Sequence, residues 1–368
     1  MNNNKKIRVL LYAGFKDNTI FYSAVSPPLG LYRLRHYLEK RGVHCDVHDL
    51  SLHENDFKDT KEKISNGYYD VVGISVDSEK MGRYFTLLKE IRTRAEKIKK
   101  KIMIVCGGQG GAHAYKSFIQ KGKADAVLLG FAEKNFHNLI LNFSKNINEH
   151  ISIYSKGVFG IAFPRDKEFD KIQKIPSKPL TDEEFVQFNY HEIKDLFIPY
   201  HDYWYHTQEE GAAALNLNKE RIEASDPHCD LPLNKNTQKF YVETIRLYTS
   251  SHCPWKCGFC SSHSFLRMSQ ATKEYEDKIP TAPKSGAELT MNSLATTGPQ
   301  PHPVYRITPE QIYDIIKIHC DKYQPKVFLF NDDAFWDGSK PGFYHIIRLC
   351  DLIIKGKEKN EIDKDIIF

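Results

Sequence analysis

The sequence predicts an α/β protein: a doubly wound parallel sheet at the N-terminus, a connector, then a second run of strands and helices. Two observations carry this. Short β-branched runs alternate with amphipathic stretches from residue 7 to about residue 145, and the alternation resumes after residue 240. With 368 residues, 41% of them hydrophobic and 27% charged, the chain can bury about two sizeable cores. That composition excludes a disordered, collagen-like or disulfide-scaffold chain. A net charge of +5 leaves no footprint for nucleic acid. No apolar run nears the roughly 18 residues that span a bilayer. The stretch Ile7–Phe15 runs into Lys16-Asp17 without a small-residue cleavage site, so it reads as a strand, not a leader. A cytoplasmic location without membrane partners is expected.

The first strand is Ile7–Ala13. Pro27-Pro28 punctuates the chain, Leu31, Leu34 and Leu38 line one helical face, and Gly42 stops that helix. His44–Leu50 is a second strand, and Val71–Val76 a third, apolar enough to be buried on both faces. Met81, Tyr84, Phe85, Leu88 and Ile91 recur at helical spacing. Ile102–Cys106 and Ala126–Leu129 complete five strands. Such sheets bind ligands beyond the carboxyl ends of their strands. The residues to watch there are Ser75, the run Cys106-Gly107-Gly108-Gln109-Gly110-Gly111, and Gly130 to Glu133. The glycines admit a ligand close to the backbone, but they form neither a dinucleotide fingerprint nor a phosphate loop. The basic run Lys89–Lys101 reads as a solvated helix face. Residues 146–240 show no sustained period. Their aromatic segment, Phe197 to His206, reads as packing material.

Of eight cysteines, three crowd into Cys253-Pro254-Trp255-Lys256-Cys257-Gly258-Phe259-Cys260, directly after a strand at Thr244–Tyr248. The spacing is C-x3-C-x2-C. In a reducing compartment, thiolates so clustered suit zinc or an iron–sulfur cluster. Zinc would need a fourth ligand such as His252, His263 or Cys229. A [4Fe–4S] cluster would use the three and leave one iron open. The spacing alone decides neither.

This run resembles the signature of radical S-adenosylmethionine enzymes, with Phe259 in the aromatic position before the third cysteine. The resemblance extends to the subgroup with an N-terminal cobalamin-binding domain. Pro27-Pro28-Leu29-Gly30, Val72-Gly73-Ile74-Ser75, the pair Gly107-Gly108, and Gly130 with Glu133 are similar to its motifs. It implies a cobalamin-binding-like domain over 1–145, a connector over 146–240, and the N-terminal part of a (β/α) partial barrel over 241–368. It further implies cobalamin against Ser75, Gly107, Gly108, Gly130 and Glu133. Cys253, Cys257 and Cys260 would hold the [4Fe–4S] cluster. Phe259, Asp332 and Asp333 would meet S-adenosylmethionine, the acidic pair following the strand Lys326–Phe330. The implied chemistry is cleavage of S-adenosylmethionine to a 5′-deoxyadenosyl radical and methyl transfer to an unactivated carbon of a small-molecule substrate. A flavodoxin or ferredoxin would supply electrons. Cyclisation or rearrangement, a zinc- or ligand-binding protein, and an inactive fragment are the alternatives. The Asp-x-His-x-x-Gly motif, which gives cobalamin a histidine in mutases, is absent.

Beyond the cysteines, Thr308-Pro309-Glu310-Gln311 is a capping box opening a helix. Residues 343–356 form another helix, and Asp365–Phe368 starts a third strand. The barrel so drawn is incomplete. A fragment, a broken gene or a second chain that completes it would each account for that.

Overall fold

A computed structural model describes residues 6–13, 27–49, 57–76, 81–204, 243–251, 304–332, 335 and 339–368. The chain divides into two compact units. Described residues 6–13 and 30–182 belong to the first, and those from 183 to 251 and from 305 to 368 to the second.

The first unit is the expected parallel sheet. Its strands are β1 (Arg8–Ala13), β2 (His44–Asp49), β3 (Val71–Ser75), β4 (Met103–Gly107) and β5 (Ala126–Leu128). They lie in the order β2-β1-β3-β4-β5, all parallel. Alternate residues feed two cores, one on each face. Val9, Leu11, Val71, Met103, Val105 and Ala126 enter the first core. There α1 (Leu29–Glu39) brings Leu31, Leu34 and Leu38, and α6 (Glu133–Lys145) brings Phe136, Leu139, Ile140 and Phe143. Leu10, Tyr12, Val72, Ile74, Ile104 and Cys106 enter the second. It is covered by α2 (Phe57–Ser65), by α3 (Met81–Lys97) through Tyr84, Leu88 and Ile91, and by the short α4 (Gly108–His113) and α5 (Tyr115–Gln120). Strands apolar on both faces and helices apolar on one stripe leave a doubly wound sheet as the arrangement that buries both.

Two further strands extend this sheet. After α7 (Ile151–Tyr154) come β6 (Ile161–Pro164) and β7 (Ile172–Ile175), antiparallel beside β5. They fall in the stretch that shows no sustained period. Four residues ending in Pro164 are too few to establish an alternation, and β7 is half-buried throughout.

The basic run is only partly a solvated face. Lys89, Lys97 and Lys99 are exposed. Arg92 instead pairs with Asp125 at 2.9 Å, and Lys100 with Asp70 at 2.9 Å.

The second unit opens with α8 (Asp182–Val186), a π-helical turn (Gln187–His191) and α9 (Glu192–Asp195). Then β8 (Thr244–Leu247) pairs in parallel with β9 (Val327–Phe330), joined through α10 (Pro309–Tyr323) and followed by α11 (Lys340–Glu358). Ile367 makes one isolated parallel bridge to Val327 of β9, with Phe328 N donating to Ile367 O at 2.8 Å, where the sequence reading expects the start of a third strand. The capping box forms as expected. Gln311 N donates to Thr308 Oγ1, and Thr308 N to Gln311 Oε1. The aromatic segment does pack. Tyr200, Tyr203 and Trp204 are buried, and Tyr200 meets Tyr323 edge-on at 4.9 Å. The Trp204 indole N–H donates to Thr244 O at 3.3 Å.

Candidate cofactor-binding site

The strand order turns back between β1 and β3. The helix after β1 covers one face, and the helix after β3 covers the other. Their carboxyl ends therefore border a crevice, the usual place for a ligand in an open α/β sheet. The rim is built from small residues. Ala13 ends β1, Ser75 ends β3, and Ser75 is in register with Gly107 at the end of β4.

Gly107 and Gly108 do different things there. Gly107 is extended, at φ −155° and ψ −167°, and a Cβ on it would meet nothing within 4 Å. The space beside it is open. Gly108 has φ +81°, and a Cβ would fall 2.7 Å from the Val76 carbonyl oxygen. That oxygen also accepts from Gly110 N at 3.1 Å, and Val76 N donates to Gly107 O at 2.9 Å. The loop after β4 is thereby laced to the end of β3 by main-chain bonds, and only glycine fits at 108. Val76 is the residue that motif reading missed. Its part is played by backbone atoms, which leave no mark on residue identity.

Gly130 also takes a positive φ, +77°, in the turn between β5 and α6. Glu133 is buried, and its Oε1 pairs with Arg33 at 3.0 Å. That carboxylate ties the start of α6 to α1. Ser75, Gly107 and Gly108 thus come together at one point, while Gly130 and Glu133 sit past the neighbouring strand. Cys106 lies next to the rim, but its side chain enters the second core and burial pushes its thiol pKa up. It is no ligand to the crevice.

In the second unit, Asp332 stands past the end of β9 and accepts four hydrogen bonds from Thr249 and Ser250. Cys253, Cys257, Phe259, Cys260 and Asp333 lie outside the described residues. Among the described residues, no group of three or more His, Cys, Asp or Glu is placed to hold a metal ion. Among the described residues, Cys45, Cys106, Cys320 and Cys350 are free thiols.

Residues 20–140 match the family model described as the B12 binding domain. That stretch is similar to a B12 binding domain. The fold resembles that of solved radical S-adenosylmethionine enzymes. One is the radical S-adenosylmethionine methyltransferase TsrM from Kitasatospora setae, solved with cobalamin and a [4Fe-4S] cluster bound. The match has a TM-score of 0.55 and 13% identity, over 97% of this chain and 53% of that one. Another is the cobalamin-dependent S-adenosylmethionine radical enzyme OxsB with aqua-cobalamin bound. Here the TM-score is 0.57 and identity 13%, over 96% of this chain and 38% of that one. The chain spans about half the length of TsrM and little more than a third of OxsB. No curated protein sequence matches it. No described helix is long and apolar enough to cross a membrane.

Proposed function

We propose that the chain belongs to a cobalamin-dependent radical S-adenosylmethionine enzyme that methylates an unactivated carbon of a small molecule. One observation carries the reading. A B12 binding domain presents an open glycine at its sheet crevice, and a C-x3-C-x2-C run follows the first strand of the next unit.

The crevice suits a broad, flat ring. Among the described residues its edge is main chain and small side chains, and Gly107 leaves room where any other residue would project. Ser75 and Gly130 border the same edge, Gly108 holds the loop against Val76, and Glu133 with Arg33 fixes the start of α6. The donor set Cys253, Cys257 and Cys260 suits three irons of a [4Fe–4S] cluster, leaving the fourth for S-adenosylmethionine. When bound, that cluster supplies the electron that breaks a C–S bond of S-adenosylmethionine, and cobalamin supplies a methyl carrier. Phe259 and Asp333 are the residues offered to S-adenosylmethionine. A flavodoxin or ferredoxin as reductant and a cytoplasmic location go with this reading, because the thiols must stay reduced.

Anaerobic reconstitution tests it. A brown protein with about four irons per chain, lost in Cys257→Ala, supports the cluster. Bound zinc without colour would remove it. Cobalamin has its own arm: the protein should retain about one hydroxocobalamin per chain through gel filtration, and failure to do so removes methyl transfer.

A further inference from the structure

Thr249, Ser250 and Ser251 follow β8 and lead directly into His252-Cys253. This span is held from two sides. Asp332 Oδ1 accepts from Thr249 N at 2.7 Å, Ser250 N at 2.6 Å and Ser250 Oγ at 2.9 Å. Asp332 Oδ2 accepts from Thr249 Oγ1 at 2.6 Å. Opposite, Ser251 N donates to Tyr305 O at 2.9 Å, Tyr305 N donates to Ser251 Oγ at 3.0 Å, and Ile307 N donates to Thr249 O at 3.1 Å.

A carboxylate offers about two acceptor sites on each oxygen, and here Oδ1 takes three donors and Oδ2 one. All four come from the two residues that precede Ser251. The bonds are short, as charge-assisted ones are. A carboxylate spent this way has little left for a ligand's ammonium group. It does have the means to set the direction in which the chain leaves β8.

We propose that Asp332 is a positioning residue for the metal-binding cysteines. It fixes the direction in which the chain leaves β8, at Thr249 and Ser250, the second of them three residues before Cys253 in the sequence. It does not itself take the amino group of S-adenosylmethionine. This rests on the cluster reading above.

The test uses the full chain with Asp332→Ala and Asp332→Asn. Asparagine keeps an oxygen for the three Oδ1 donors, and its amide can donate to the Thr249 hydroxyl. In metal-free protein, amide exchange across Thr249–Ser251 should quicken about tenfold or more in Asp332→Ala and stay near wild type in Asp332→Asn. After anaerobic reconstitution, Asp332→Ala should fall from about four irons to about one or fewer. Asp332→Asn should keep its iron, its reduced-cluster electron paramagnetic resonance signal and its affinity for S-adenosylmethionine. Hydroxocobalamin retention and tryptophan emission show whether each variant is folded. Two outcomes overturn the proposal: unchanged exchange in Asp332→Ala, or both variants holding full iron while losing affinity for S-adenosylmethionine, which would make Asp332 a ligand contact. Wild type without iron would overturn the cluster reading, and the metal-free exchange would still judge the clamp.

Discussion

At the scale of residues, the two glycines of the proposed cobalamin crevice separate folding from binding. Gly107→Phe adds a side chain into open space on an extended backbone, so its stability should stay within about 1 kcal/mol of wild type. Gel filtration with hydroxocobalamin should show binding gone. Gly108→Ala forces a Cβ against the Val76 carbonyl at positive φ and should cost about 1–3 kcal/mol in urea unfolding. Equal loss of stability in both variants would contradict this division. His319 gives a second prediction. It is buried among Tyr200, Tyr323 and Lys322, its Nδ1 meets no hydrogen-bond partner among the described residues, and burial lowers its pKa from 6.5 to about 4. The unfolded chain therefore takes up a proton between those values and the folded chain does not. Stability is full above about pH 6.5 and falls as pH drops to about 4, by about 3 kcal/mol in all. Urea unfolding followed by tryptophan emission should show that slope in wild type and a shallower one in His319→Leu.

Among elements, the two ends of the parallel sheet are specialised. The carboxyl ends carry the small, open rim. The amino ends carry aspartates that stitch one strand to another. Asp70, just before β3, accepts from Arg8 N on β1 at 3.1 Å and pairs with Lys100. Asp125, just before β5, accepts from Ile104 N on β4 at 2.7 Å and pairs with Arg92. Each binds a backbone donor and a cation at once, so each removes two desolvated groups from the ledger of unmet partners. Asp125→Ala would leave the buried Ile104 amide without its acceptor and the Arg92 guanidinium without its carboxylate, held by the Lys123 carbonyl at 2.8 Å. It should cost about 3 kcal/mol in urea unfolding, while hydroxocobalamin binding at the opposite end persists in the folded fraction. A loss below about 0.5 kcal/mol would show that water replaces the carboxylate there. Between α10 and α11, Gly356 does similar service by omission: a Cβ there would lie 1.9 Å from the Tyr313 hydroxyl. Tyr313 passes over it to donate to Glu361 at 2.9 Å, and burial lifts the phenol to about 12.

Over the whole molecule, what could be read from the sequence was whatever local pattern encodes. The strands β1, β3, β4 and β5 are legible because each is a short apolar run, and β1 and β3 are each followed by a stripe at helical spacing. The capping box at Thr308 is legible because both partners lie within one turn. The strands β6 and β7 are too short to announce a period. The pairing of Arg33 with Glu133, and of Asp332 with Thr249 and Ser250, joins residues 100 and 82 to 83 positions apart, so only the assembled fold brings them together. The hydroxyl-rich Thr249-Ser250-Ser251 was the one available hint, a run of donors with no local acceptor. The same junction has a consequence for chain length. Ser251 and Tyr305 are bonded to each other through two main-chain nitrogens, so residues 252–303 leave and re-enter at a single knot. The conformational entropy of closing such a loop grows only with the logarithm of its length, about 0.6 kcal/mol for each doubling. Both anchors are bonded outside the β8–β9 ladder, so the ladder does not need a fixed number of residues between them. The register of β8 against β9 is set by the ladder and this knot, not by the length of chain that joins them.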